Sequence, residues 1–284
     1  MKRERVTDDV YIFTSERYAQ VTASLILTSE GAVLIDTLAF PDETREIKRF
    51  VETRLNQSIH TLVYTHHHAD HTLGGALFPE ARLIAHARCF DLMMERGEQA
   101  LTIAKQNNGV EFSGLELALP REVFDLPIFE FEVGKRIFQC WHTPGHSMDS
   151  IVCLLRDERI LFAGDTLMPI PYFVDGSHPH YLRTLESLRG CGFESAIQGH
   201  GEMILRGEIE QKLAEDLAYL RTLQQVVDQA QLEADPARYL AEMDIERCGK
   251  SRLPLAGQVA VLHQANLRAL MRQSTTPRAA YTHD

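Results

Sequence analysis

The chain has little of what a membrane helix, a disulfide scaffold or a nucleic-acid binder needs. No apolar run approaches the roughly 20 residues that carry a helix across a bilayer, so no helical span is expected. The opening stretch MKRERVTDDVYIF has basic residues but no apolar core behind them and does not read as a signal peptide. The five cysteines (Cys89, Cys140, Cys153, Cys191 and Cys248) are scattered, odd in number and without a CxxC pair. They read as reduced thiols of a cytoplasmic protein, packed in the core rather than catalytic. Basic residues are outnumbered, 29 against 40 acidic, and a net charge of -11 argues against nucleic acid as a partner. No close internal repeat is visible. Hydrophobic residues at 44% and charged residues at 24% exclude a disordered chain. A length of 284 residues allows one large domain or two small ones.

What the chain does have is concentrated between Thr65 and Gly75, THHHADHTLGG. The preceding run, Thr61-Leu-Val-Tyr-Thr65, is β-branched, aromatic and apolar, and predicts a buried strand. Gly74-Gly75 closes the segment as a turn signal. His66, His68, Asp70 and His71 therefore lie on a loop at the C-terminal end of a strand, where α/β proteins place their sites. Imidazole suits divalent transition metals, and a carboxylate adds charge and a harder donor. Three imidazoles and a carboxylate within six residues can serve two adjacent cations.

In chain order, Val10–Thr14, Val21–Thr28 and Ala32–Asp36 predict strands, and Pro41–Leu55 a helix with Ile47, Phe50, Val51 and Leu55 on one face. Arg82–Ala85 predicts a short strand and His86–Gln106 a helix. A second strand-rich half runs through Ile128–Val133, Ile137–Thr143, Ser150–Arg156 and Arg159–Ala163 to a helix at His180–Arg189 and a strand at Ser195–Gln198. From Glu208 the character becomes helical. Glu208–Glu233 is amphipathic, Asp235-Pro236 opens a second helix and Ala256–Met271 makes a third. The division expected is 1–207 as the catalytic domain and 208–284 as a helical extension packed on it, with a cap over the site or a homodimer interface as other uses of those helices. The tail from Gln273 to Asp284 is expected to fray.

Three later stretches repeat one pattern of strand, glycine and ligand-type side chain: Thr143-Pro-Gly-His146, Phe162-Ala-Gly-Asp165 and Ile197-Gln-Gly-His200. Glycine lets the backbone turn close to a crowded centre. Taken in order, His-x-His-x-Asp-His, Gly-His, Gly-Asp and Gly-His resemble the metallo-β-lactamase-fold superfamily, from Asp36 to His200. The resemblance implies an α/β fold, a four-layer αββα sandwich with the site at one edge of two sheets. It assigns His66, His68 and His146 to a first metal, Asp70, His71 and His200 to a second, and Asp165 to a bridge. It makes Asp36 a residue that orients a ligand histidine. The cofactors implied are two divalent metal ions, Zn2+ first, with Fe or Mn as alternatives. Asp70 would orient a metal-bridging hydroxide and pass a proton to the leaving group.

Asp165 argues for the glyoxalase II and lactonase branch over a true β-lactamase. The acidic chain, without room for a further domain, argues against a nuclease. The expected reaction is hydrolysis of a small ester, thioester or lactone, with an iron-dependent persulfide dioxygenase as the alternative. No basic set for glutathione follows Asp165, and the apolar stretch Leu167–Phe173 favours an acyl substrate. Tyr172, His178 and His180 are candidates for the substrate pocket, with Phe173 on the same grounds. His67 should point away from the metals. His60, His86, His142 and His263 read as structural, and His283 lies in the tail. The partner expected is a small molecule, with neither nucleic acid nor membrane.

Overall fold

Alternate residues along the strands feed different apolar layers, and this sets the architecture. In the computed structural model, which describes residues 1–275, the first sheet has seven strands. They are β1 (Lys2–Arg5), β2 (Val10–Thr14), β3 (Thr22–Ile26), β4 (Ala32–Ile35), β5 (Ile59–Val63), β6 (Arg82–His86) and β7 (Glu122–Phe124), adjacent in that order. β1 to β4 pair antiparallel, and β4 to β7 pair parallel. The parallel pairs need crossovers, supplied by α1 (Pro41–Arg54) and α3 (Ala87–Asn108), with a four-residue turn α2 (Ala69–Thr72) between them.

The second sheet holds β8 (Phe129–Val133), β9 (Arg136–His142), β10 (Ile151–Leu155), β11 (Ile160–Gly164), β12 (Ser195–Gln198) and β13 (Ile204–Leu205), in reverse spatial order. Only β11 and β12 pair parallel there, across α4 (His178–Leu188). Val33 and Ile35 of β4, Val63 of β5, Cys153 of β10 and Phe162 of β11 form the layer between the sheets. Ala32 and Leu34 face outward to Ile47 and Val51 of α1 and Met93 of α3.

On the far side Val152, Leu161, Ala163 and Ala196 meet Tyr181 and Leu185 of α4, Leu213, Leu217 and Leu220 of α5 (Ile209–Ala230) and Leu267 of α7 (Val259–Thr275). The order is helix, sheet, sheet, helix, the αββα sandwich. The helices beyond position 208 share a core with the second sheet, so they supply its outer layer together with α4. Between α5 and α7 lies α6 (Pro236–Glu242), opened by Asp235, whose side chain accepts from the Arg238 amide. α7 begins at Val259 rather than Ala256, because Leu255 and Ala256 both take left-handed conformations with φ of 53°. Among the described residues no helix is long and apolar enough to cross a membrane. The part of the tail that includes His283 lies outside the described residues.

His86 and His142 lie between the sheets' ends, their rings stacked at 14° with centroids 4.2 Å apart. Burial and the His142 ring lower the His86 pKa to about 4, against the opposing pull of Asp125. The folded pKa thus lies below the ordinary value of about 6.5. Between those values the unfolded chain binds more protons, so stability falls as pH falls from about 6.5 to about 4. His86→Phe removes this contribution, and its urea midpoint should decline less steeply across that window than the parent's. Equal slopes would show that the pair does not titrate on unfolding.

Candidate metal centre

Five strand ends converge on one edge of the sandwich. Asp36 follows β4, residues 65–71 follow β5, His146 follows β9, Asp165 follows β11 and His200 follows β12. Backbone bonds tie the two sheets, and the β11 and β12 ends, together beneath this edge. The Ile151 N–H donates to Thr65 O at 2.9 Å, Thr22 N–H to Gly199 O at 2.8 Å and Gly199 N–H to Gly164 O at 2.7 Å.

Two groups of ligand atoms result. His66, His68, His146 and Asp165 form one, and Asp70, His71 and His200 the other, with the atoms of each within 4.8 Å of one another. The Asp165 carboxylate lies between them. Its Oδ2 is 3.9 Å from His66 Nε2, 3.3 Å from His146 Nε2 and 3.4 Å from His200 Nε2, and its Oδ1 is 3.3 Å from His71 Nε2. Asp70 Oδ2 is 3.4 Å from His200 Nε2 and 3.7 Å from His71 Nε2.

Each inward histidine is held by its other nitrogen. His71 Nδ1 meets Asp36 Oδ2 at 2.9 Å, His200 Nδ1 meets Ala19 O at 2.9 Å and His146 Nδ1 meets Tyr172 O at 2.8 Å. Asp36 also accepts from the Thr65 amide and hydroxyl, and Thr65 Oγ1 lies 3.1 Å from His66 Nδ1. One aspartate thereby fixes two of the histidines that follow β5, His71 directly and His66 through Thr65.

The donor set fits a divalent pair. His66 Nε2, His71 Nε2 and Asp165 Oδ1 are buried with no hydrogen-bond partner. Buried polar atoms left unpaired cost about 1–3 kcal/mol each, and here they all point at one place. Electrostatics agrees. Burial holds His66 well below its ordinary value and lowers His146 to about 4, and it works against charge at His71 and His200 too. Even so, Asp165 and Asp70 raise His200 to about 10 and hold His71 well above its ordinary value. Burial also opposes ionisation of Asp70 and Asp165, but their histidine neighbours hold both below the usual carboxylate range. Around Asp70 and Asp165 the edge draws positive charge, which bound divalent metal would supply.

A model of the metallo-beta-lactamase superfamily matches residues 17–200. The chain belongs to that superfamily. It is 24% identical over 188 residues to 2,4-dinitroanisole O-demethylase subunit alpha of a Nocardioides species, covering 63% of this chain and 52% of that protein. It is 26% identical over 207 residues to an atrochrysone carboxyl ACP thioesterase of Aspergillus fumigatus, covering 69% and 57%. The chain spans about half the length of the curated relatives it matches. A metallo-beta-lactamase family protein from Thermus thermophilus shares the fold with a TM-score of 0.68 at 18% identity, over 97% of each chain.

Not every residue singled out for this superfamily's site lies near it. His178 is a correction. Its Nε2 bonds Leu220 O at 2.8 Å and its ring packs on Phe173, so it ties α4 to α5 inside the core. His180 is held at 2.8 Å by Ser177 Oγ, one turn along α4, and is not among the residues gathered at the metal edge. The apolar stretch after Asp165 is a second correction: Leu167, Met168, Ile170 and Phe173 are buried core residues rather than the wall of an acyl pocket. Tyr172 does reach the site, its ring centroid 6.0 Å from that of His146.

His67 joins neither main group. Its Nδ1 is 2.9 Å from Asp149 Oδ1 and its amide donates to Asp149 Oδ2 at 2.7 Å. Burial disfavours its charge, but Asp149 and Asp175 raise it to about 9. Asp149, Asp175 and Tyr18 escaped the sequence reading. Tyr18 stands on the β2–β3 loop beside Ala19, and Asp70, burial and Asp165 push its phenol up to about 12. It therefore remains a hydrogen-bond donor at neutral pH. Its only signal in the sequence was an aromatic residue in a polar turn.

Proposed function

We propose that the protein is a hydrolase of a small ester, thioester or lactone, working at a binuclear centre with Zn2+ as the first metal to test. The observation that supports this most is the Asp165 carboxylate placed between two histidine groups whose inward nitrogens lack partners. His66, His68 and His146 would hold one cation, Asp70, His71 and His200 the other, with Asp165 shared. Divalent cations held there would supply Lewis acidity toward a carbonyl oxygen and toward water. The name of the Aspergillus relative favours a thioester within this class.

The chain's own residues divide the remaining work. Asp165 is 4% exposed and enclosed by imidazoles, so it can only bind. The Asp70 side chain is 17% exposed, which leaves it able to take a proton and deliver it to a leaving group. Tyr18, protonated at neutral pH, and the half-buried Tyr172 stand at the mouth and can donate to the acyl oxygen or pack on the acyl group.

Elemental analysis with turnover of an ester, thioester and lactone panel tests the reading. About two zinc ions per chain and thioester or lactone cleavage are expected. One iron per chain with oxygen uptake on persulfides would replace it with the dioxygenase reading. Asp70→Asn should cut turnover by about 100-fold or more, the contribution of a positioned proton carrier, while keeping most of the metal. Full activity in that variant would take the proton role away from Asp70.

A further inference from the structure

His66, His71 and His200 are oriented by partners in or beside the first sheet: Thr65, Asp36 and Ala19. His68 and His146 are not. Both depend on one irregular segment after β11. Tyr172 O takes His146 Nδ1, and Asp175 Oδ2 lies 3.3 Å from His68 Nε2. We infer that Asp175 is a positioning residue for His68, and that α7 holds it in place from the C-terminal layer.

The segment is clamped from two sides. Asn266 of α7, fully buried, accepts from the Phe173 amide at 3.1 Å and donates to Pro171 O at 2.7 Å. Seven residues on, along the same face of α7, Gln273 Nε2 donates to Gly176 O at 3.3 Å. Beneath, Gly176 is pressed onto the His146 loop so closely that a Cβ would lie 2.0 Å from Gly145 O. The Ser177 amide donates to that same oxygen at 2.9 Å.

By residue type, His67, His68 and Asp175 could themselves hold a cation. The Arg96 guanidinium from α3 already sits on that carboxylate, at 2.8 and 3.1 Å, and His67 is tied to Asp149. The Asp175 carboxylate thus already carries a fixed positive charge, and its Oδ2 faces His67 Nε2 as well as His68 Nε2, each at 3.3 Å. Donation of the His68 Nε2 proton to Asp175 fixes the tautomer that leaves Nδ1 as a lone pair. Nδ1 is the atom 3.0 Å from His146 Nε2, on the inward side.

This inference rests on the metal reading of the centre but not on any substrate. The test is titration of the full, metal-stripped chain with Zn2+ against a competing chelator. Asp175→Ala should weaken one of two binding events about 10–100-fold and leave the other unchanged. Asp175→Asn keeps an acceptor oxygen and should restore most of that loss. Thermal midpoints of both variants in the metal-free state separate general destabilisation from loss of His68 positioning, since both lose the charge that pairs with Arg96. Equal weakening of both events, no weakening, or an Asn variant no better than Ala would overturn the inference. If the parent takes up no Zn2+, the inference and the metal centre fall together. If it takes up Zn2+ but cleaves no ester, thioester or lactone, only the hydrolase reading falls.

Discussion

Asp165→Ala is expected to lose both cations together and to reduce turnover by about 1,000-fold or more. The carboxylate touches histidines of both groups, so its removal strips a donor from each. On the proposed binuclear reading it also withdraws the negative charge that would hold two closely placed cations against their mutual repulsion. Metal-ion catalysis is worth several kcal/mol, and about 1.4 kcal/mol is a factor of ten, which sets that loss. Folding should suffer less. Asp165 is a main support of the raised pKa values of His71 and His200, so those rings can shed their protons when it goes. The lost carboxylate charge is then matched by lost imidazolium charge, so no buried cation is left unpaired. Elemental analysis beside a urea titration separates the effects: metal below one ion per chain with a midpoint close to that of the metal-free parent. A variant that retained one tightly held cation would mean that Asp165 belongs to a single site and does not bridge.

The side chains gathered at this edge were legible because they obey short-range patterns. THHHADH and the three Gly-His or Gly-Asp endings are each read within a few residues, and each follows a strand whose apolar run is equally local. Their partners were less visible, because they lie far along the chain. Asp149 reaches His67 across 82 positions, Asp175 reaches His68 across 107, and the Ala19 carbonyl reaches His200 across 181. Asp36 was found because it ends a predicted strand and matches the first motif of the superfamily that the chain resembles.

The strands that were missed fail for a related reason. β1, KRER, is exposed and charged throughout, an edge held by backbone pairing to β2 with no apolar alternation to mark it. β7 and β13 are three and two residues long. The opposite error came from Leu167–Phe173. An apolar run beside a site has the same sequence whether it lines a pocket or anchors the loop to the core beneath, and here the layer of α5 and α7 makes it an anchor.

Gly199→Ala should damage the centre without altering a single ligand. Gly199 stands between the end of β12 and His200, and its backbone is held from both directions. Its N–H reaches Gly164 O at 2.7 Å, and its carbonyl accepts from Thr22 N at 2.8 Å. A Cβ added there would lie 1.9 Å from Asp165 Oδ1, 2.7 Å from Gly164 C and 2.8 Å from Asp165 N. The carboxylate oxygen could swing aside, but only out of its place beside His71. The other two atoms are backbone and cannot move without opening the bonds that join β11, β12 and β3. Overpacking of this kind costs about 1–3 kcal/mol, enough to lower the thermal midpoint by several degrees. The metal loss should approach that of Asp165→Ala, because the bridge is displaced rather than removed. Gly207→Ala is the matched control, since a Cβ there meets nothing within 4 Å, and it should leave midpoint and metal unchanged. A Gly199→Ala protein that kept two cations and its midpoint would show that the β11 and β12 ends can separate. The glycine before His200 would then serve the turn and not the close approach to Asp165.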